Sequence, residues 1–352
     1  MRDRRMPSLA IGPLNTAGQA YRWSEAVSRE LGISAWSFAG TRRRVRRIDG
    51  PAHHRIPHHR LRPRMIRRLW LECLLRSRTH VLVESMVPLL GDLRHGVLHD
   101  DVGLLEERGL TVGVICHGSD IRSPERHMAR LDHSYFRLWG ESVRNNVEEQ
   151  VARRRDALEV FETPSFVSTP DLILDLPTAT WLPLVVDSRR WASDRNVLRS
   201  GRPVVLHAPS QRKLSIKGTE FIEPVLVDLD RRGLIEYRAL TGLVPHSRMP
   251  ELVKEADVLV EQILAGSYGV AAVEGMAAGC LVIGYVGDEV RSMMPEDPPI
   301  LDATPDGFAG TMMRVLEERN GYADLAASGP AYVERIHSGR LSASVLSPFL
   351  GV

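Results

Sequence analysis

Lysine, cysteine and aromatic side chains are scarce in this sequence, and it has no long apolar run. Of its 46 basic residues only Lys213, Lys217 and Lys254 are lysines; the rest are arginines, which reads as codon bias and makes most of them ordinary surface. Cys73, Cys116 and Cys280 lie far apart with no Cys-x-x-Cys spacing and cannot all pair, which argues against a disulfide framework and fits a reducing, cytoplasmic setting. Aromatics make up 6% of the chain, while aliphatics and alanine are plentiful, a balance that suits packed α/β layers better than a β-sandwich. No stretch approaches the roughly 18 apolar residues that span a bilayer. Met1 to Met6 is basic and lacks the apolar core of a signal peptide, so a soluble or at most peripheral protein is expected.

What is present is alternation. With 352 residues, 43% of them hydrophobic, the chain can bury two ordinary cores. Strands are expected at Leu9–Gly12, Val81–Glu84, Thr111–Cys116, Leu158–Val160 and Phe166–Ser168. A helix is expected from Gln19 to Leu31, ending at Gly32, and another near Gly103–Arg108. Ser123-Pro124-Glu125 is a helix start: serine caps, proline takes the first turn and an acid complements the dipole. In the second half, strands are expected at Pro203–Ala208, Ile235–Leu240, Asp257–Ile263 and Leu281–Tyr285. They alternate with helices at Met249–Ala256, Gly269–Ala278 and one carrying Phe221, Val225 and Leu229 as its apolar stripe. Such order argues for βαβ units and parallel sheets. Pro177 and Pro183 place a break between halves at Trp181–Arg190. The expected domains are 1–183, 184–334 and a final segment 335–352 packing back on the first lobe.

Two segments carry chemistry. Ser210 to Gly218 (SQRKLSIKG) lies between a strand and a helix, at the carboxyl edge where doubly wound sheets bind ligands. Arg212 offers a planar fork and Lys217 a compact charge, a pair suited to a diphosphate; a solvated basic loop is the plainer alternative. Gly266 to Gly279 (GSYGVAAVEGMAAG) is rich in small residues that let a ligand approach the backbone. The N–H groups near Gly269 and Val270 can face an anion, and the acceptor-only carboxylate of Glu274 suits a ribose diol.

From Pro203 to Tyr285 these residues resemble the donor lobe of retaining GT-B glycosyltransferases of the family 4 type. That family carries arginine, four residues, then Lys-Gly, matched by Arg212 and Lys217-Gly218. The resemblance implies that Arg212 and Lys217 bind the donor diphosphate and stabilise the leaving group, and that Glu274 binds the ribose. The family's first glutamate, eight residues before Glu274, is Gly266 here; Glu261 and Gln262 are nearby but not at that position. The first half is similar more weakly. The loop Gly12–Gly18, with Gly18 at its end, matches a glycine-rich loop facing donor phosphate and acceptor. His117-Gly118 matches a histidine that contacts the donor sugar near the reacting carbon. Trp181-Leu182-Pro183 with Val186-Asp187 resembles the interdomain linker.

The resemblance therefore implies a GT-B fold, two Rossmann-like lobes whose parallel sheets face a central cleft. It further implies transfer of a sugar from a nucleoside diphosphate sugar, as co-substrate, to a hydroxyl of a glycan, lipid or small-molecule acceptor. Retention of anomeric configuration and independence of metal and other cofactors are part of the same expectation. A non-catalytic sugar-nucleotide binder and a sugar-nucleotide epimerase are the alternatives.

Between Arg42 and Arg78 stand 13 arginines against Asp49 and Glu72, with His53, His54, His58 and His59. Met65, Ile66, Leu69, Trp70, Cys73 and Leu74 form an apolar helical face with Arg67, Arg68 and Arg76 outside. Peripheral contact with an anionic membrane, docking of a polyanionic acceptor and a plain arginine-rich lobe helix all fit. No recognised nucleic-acid module accompanies the charge, so nucleic acid is not an expected partner. The histidines lack Cys or carboxylate ligands at metal spacing and read as loop residues. Asp120 reads as a turn brace or a cleft residue, and His207 as structural.

Overall fold

The structure is a computed structural model and describes residues 6–41, 51–57, 64–89, 99–160, 162–209, 216–240 and 244–352. The chain forms two compact units. One comprises residues 1–123, 147–185 and 339–352; the other comprises 124–146 and 186–338.

The first unit is built on a seven-stranded parallel sheet. Its strands are β1 (Ser8–Gly12), β2 (Ser34–Thr41), β3 (His54–Pro57), β4 (His80–Glu84), β5 (Thr111–Cys116), β6 (Ser165–Val167) and β7 (Thr180–Trp181), in the order β3-β2-β1-β4-β5-β6-β7. Leu9, Ala10 and Ile11 of β1 and Val81, Leu82 and Val83 of β4 are all buried, because helices cover both faces of a parallel sheet and its central strands stop alternating. That also hides β2 from a pattern search: Trp36 and Phe38 are core residues but are interleaved with Ser34, Ser37 and Gly40. The helix Gln19–Leu31 spans its expected residues and ends at Gly32 in the left-handed conformation. The last helix, Arg340–Leu350, packs on it. Pro183 O accepts from both Trp23 Nε1 (2.8 Å) and Ser342 Oγ (2.8 Å), and Gln19 clamps the N–H and C=O of Val185, so residues 183–185 are pinned to this pair of helices.

The second unit has a five-stranded parallel sheet. Its strands are β8 (Val204–His207), β9 (Glu236–Ala239), β10 (Val258–Val260), β11 (Leu281–Gly284) and β12 (Ile300–Asp302), ordered β12-β11-β10-β8-β9. Strand order reverses between β8 and β10, which opens the carboxyl edge beside their following loops.

Three local expectations are corrected. Leu158–Val160 is not a strand but the end of the helix Glu141–Val160. Only Val151 and Leu158 of that helix are buried, and pairs such as Glu149–Arg153 (3.3 Å) line its surface, so it shows no apolar period. On the helix Thr219–Arg231 the buried stripe is Ile222, Leu226 and Leu229, while Phe221 is exposed. On the helix Arg64–Leu75 the core takes Leu71 and Leu75, with Leu74 of the expected face packed partly buried against it, while the side chains of Met65 and Ile66 lie outside the described residues. Leu69 is 56% exposed and Cys73 is exposed, and both line an open groove of about 450 Å³ with Glu72, Arg76, Arg108 and Leu110.

Of the basic stretch, residues 42–50 and 58–63, including His58 and His59, lie outside the described residues, as do the side chains of Arg67, Arg68 and Trp70. Arg78 lies over the Trp36 ring at 5.1 Å and donates to Ser34 Oγ, a packing role. His53 bridges Ser37 and Glu25, and His54 meets the Trp36 ring edge-on at 4.7 Å. Among the described residues no group of three or more His, Cys, Asp or Glu could hold a metal ion, and no helix is long and apolar enough to cross a membrane.

Candidate functional site

In the second unit the loops after β8 and β10 meet. Residues 210–215, with Arg212, lie outside the described residues. Lys217 is described, and its carbonyl accepts from Ile263 N–H (3.1 Å). Gly218 follows at φ +83°, and a Cβ there would come within 2.8 Å of Ile263 and 3.0 Å of Leu264. Glycine is thus required twice, by conformation and by space, for the loop to lie this close to the one after β10. Lys217 Nζ stands 3.4 Å from Glu261 Oε1, with the lysine side chain 20% and the glutamate 5% exposed.

Glu261 follows β10 directly, and its own N–H is tied to Ile283 O. Burial raises its pKa above the usual carboxylate value; Lys217 and the backbone N–H groups of Gly269 and Gln262 pull the other way without cancelling it. Its Oε2 has no hydrogen-bond partner among the described residues. Glu261 stands off the family position, and the resemblance implies no role for it. The usable signal was its place at the carboxyl end of an apolar strand.

The helix Val270–Ala277 starts beside this pair, and a Cβ on Gly269 would lie 3.6 Å from Glu261 Oε1. Its first N–H groups, including that of Val270, have no preceding carbonyl within the helix and offer partial positive charge. One and a half turns in, Glu274 is buried and its Oε1 lies 3.0 Å from His246 Nε2. His246 was not foreseen; nothing local marks a residue 28 positions away as a carboxylate partner. Residues 241–243, just before the turn that holds His246, lie outside the described residues.

Gly266 sits at φ +66°, and a Cβ there would come within 2.6 Å of Leu131 Cδ1. The leucine could shift, but the backbone conformation cannot suit a side chain without strain. Replacement of Gly266 by alanine is expected to cost about 1–2 kcal/mol, and Gly266→Glu is expected to cost at least as much without improving any activity. Urea denaturation checks this, and an unchanged midpoint would contradict it.

His207, at the end of β8, is buried and structural. Its Nδ1–H donates to Val260 O (2.9 Å) and its Nε2 lies 2.9 Å from Thr219 Oγ1, joining β8, β10 and the start of the helix Thr219–Arg231. Burial, with a smaller push from Lys217, lowers its pKa to about 4 despite the bond to Val260. The unfolded chain therefore binds a proton that the folded one refuses between pH 6.5 and 4. The stabilisation is present above pH 6.5 and is lost as pH falls through that window, by about 3 kcal/mol. Urea denaturation at pH 7 and pH 4.5 is expected to show a smaller loss in His207→Gln than in the wild type; equal losses would refute the assignment.

In the first unit, Glu84 at the end of β4 is fully buried. It accepts the N–H groups of Leu14 (2.7 Å), Asn15 (2.5 Å) and Thr16 (2.9 Å), so these donors of the glycine-rich loop are occupied by a carboxylate. Gly18, at φ +76°, gives its own N–H to Asn15 O, and Asn15 Oδ1 accepts from Tyr21 N–H. His117 Nε2 is 3.2 Å from Glu84 Oε1 and its ring stacks on Trp23 at 5.8 Å, so the imidazole is held in place. Burial raises the Glu84 pKa, but His117 and the loop N–H groups outweigh it and the net shift is downward. Asp120 accepts from His117 and Gly118 N–H and from Ser85 Oγ, the turn brace foreseen as one of its roles. His127 is structural, set between Ser134 Oγ and Ala265 O.

The structure thus brings Lys217, Glu261, the helix start at Gly269 and Val270, and Glu274 with His246 into one unit, and His117, Glu84 and the Gly12–Gly18 loop into the other.

No protein-family model matches the sequence, and a search of curated proteins finds no match. Solved structures do match over nearly the whole chain. HepE of Anabaena in complex with UDP is 11% identical with a TM-score of 0.60, covering 99% of this chain and 100% of that one. Sucrose-phosphate synthase of Thermosynechococcus elongatus is 14% identical with a TM-score of 0.59, covering 98% of each. A glycosyltransferase of Rickettsia africae is 13% identical with a TM-score of 0.58, covering 99% of this chain and 98% of that one. At these identities the likeness establishes architecture, and the architecture of this chain is the GT-B fold.

Proposed function

We propose that the protein is a glycosyltransferase. It moves a sugar from a nucleoside diphosphate sugar to a hydroxyl acceptor, with retention of anomeric configuration and without a metal ion. The observation that carries this reading is the meeting, at the carboxyl edge of β8 and β10, of the Lys217 ammonium and, across Glu261, the amino end of the helix Val270–Ala277, which also carries the buried carboxylate of Glu274. The fold supports it, and structures of one neighbour, HepE, hold UDP or UDP-glucose.

In this reading Lys217, Arg212 and the helix N–H groups meet the diphosphate and neutralise the charge that builds as it leaves, supplying what a divalent cation would otherwise bring. Glu274 accepts from the ribose hydroxyls, with His246 beside its Oε1. His117, oriented by Glu84, positions the sugar. The leaving phosphate takes the acceptor proton, so no protein general base is assigned. Gly266 favours one rival, a non-catalytic nucleotide binder on this fold; measurable turnover, even slow donor hydrolysis, sinks it.

A thermal-shift screen against nucleoside diphosphates and their sugar conjugates tests the donor site. A ligand bound only by the native state stabilises it by about 2.7 kcal/mol at a hundredfold excess over Kd. The expected shift singles out one base and disappears in Lys217→Ala and Glu274→Ala; no shift across the panel overturns the reading. Product analysis by NMR then reports the anomeric outcome. A peripheral contact of the Arg42–Arg78 stretch with an anionic membrane also belongs to the proposal, and liposome sedimentation with Arg67 and Arg68 replaced by glutamine tests it.

A further inference from the structure

Gly266 leaves the donor site without an acidic side chain where one is expected, while a buried carboxylate stands five residues earlier. Glu261 Oε1 lies 3.4 Å from Lys217 Nζ, and the same oxygen is 3.6 Å from where a Cβ of Gly269 would be. One oxygen therefore sits between the ammonium and the start of the helix Val270–Ala277. The second oxygen is buried and has no hydrogen-bond partner among the described residues, an arrangement too costly to keep for packing alone. Replacing a buried ion pair by apolar residues is often neutral or stabilising, so stability does not account for Glu261.

We propose that Glu261 is the positioning residue of the diphosphate site, fixing the Lys217 ammonium beside the amino end of the helix Val270–Ala277 so that both meet the same anion. The proposal rests on the donor-site reading above. A lysine carries four rotatable bonds and a compact, strongly hydrated charge; left unpaired, it turns outward to water and must be ordered again at each binding event. The geometry supports this division of labour. Glu261 is the more deeply buried partner, while the Lys217 side chain keeps 20% of its surface exposed, where a ligand can arrive.

The test is isothermal titration of UDP and GDP, each paired with its free nucleoside, against wild type, E261Q, K217A and the double variant. The diphosphate that binds wild type is expected to bind E261Q about tenfold more weakly, the loss of one charge-assisted contact. The matching nucleoside is expected to keep its affinity. The double variant is expected to be no weaker than K217A alone, because Glu261 acts only through Lys217. Unchanged binding by E261Q overturns the proposal. So do equal losses for nucleoside and diphosphate, additive losses in the double variant, and tighter diphosphate binding, which would make Glu261 a competitor. Should E261Q not fold, E261D keeps the charge but draws it back by one methylene, and the same diphosphate-only loss is expected. A wild-type protein that binds neither diphosphate overturns the donor-site reading and this proposal with it, whereas wild-type binding that E261Q leaves intact overturns this proposal alone.

Discussion

Glu84→Ala is expected to be the most destabilising single substitution at either site, lowering the unfolding free energy by about 3–5 kcal/mol, the order expected when several buried donors lose their acceptor together. Three backbone N–H groups, those of Leu14, Asn15 and Thr16, lose the acceptor they share, and His117 loses the carboxylate beside it. Each buried donor left without a partner keeps its full desolvation cost. Glu84→Gln is expected to fall between wild type and alanine, because an amide can still accept through its oxygen but turns its NH₂ toward one of the same donors. The Glu84 pKa is lowered in the folded protein, so its contribution is present above the unfolded carboxylate pKa. It is lost as pH falls below about 4.5 through the folded value. Urea denaturation of the three proteins at pH 7 and pH 4 measures both effects. A loss under 1 kcal/mol in Glu84→Ala at pH 7 would show that the loop finds other acceptors.

Lys217→Ala is expected to give the largest functional loss, a fall in kcat/KM of roughly 10²–10³ for donor transfer, in the range of a removed transition-state charge stabiliser. The loss belongs mainly to kcat, since charge on the diphosphate grows as the glycosidic bond breaks and the lysine gains most there. Stability is expected to fall as well, because Glu261 is then a buried carboxylate that has lost the ammonium beside it. Adding Glu261→Gln to Lys217→Ala should recover that stability without recovering activity. Steady-state kinetics and thermal midpoints on the same preparations separate the two. A kcat/KM within threefold of wild type would remove Lys217 from the chemistry.

Both predictions concern residues whose legibility differs. Lys217 was visible in the sequence because one strand, a short basic loop and a helix follow each other, and that order alone puts the loop at a carboxyl edge. Glu274 was legible for the same reason, inside a glycine-bounded helix start. Glu84 was seen only as the end of a strand. Its partners lie 68 to 70 residues away, and no local pattern announces that a carboxylate will hold three loop N–H groups. His246 was missed for a like reason. On Thr219–Arg231 the expected stripe holds at Leu229 and gives way to Ile222 and Leu226 one position on. On Arg64–Leu75 it holds at Leu74 but not at Leu69 or Cys73, because apolar residues on both flanks make the period ambiguous until the sheet shows which side it covers.

The sequence by itself determined the alternation of strand and helix, the two parallel sheets and the loops on which a diphosphate site could be built. These depend on neighbouring residues: apolar runs too short to be anything but buried strands, and glycines where the backbone must turn. Only the tertiary structure decided that position 266 is closed to a side chain, that Glu261 faces Lys217, and that Glu84 occupies the glycine-rich loop and holds His117. Those outcomes depend on atoms brought within hydrogen-bond reach by strand order. Burial then fixes them, because a polar group removed from water must find a partner wherever the fold supplies one.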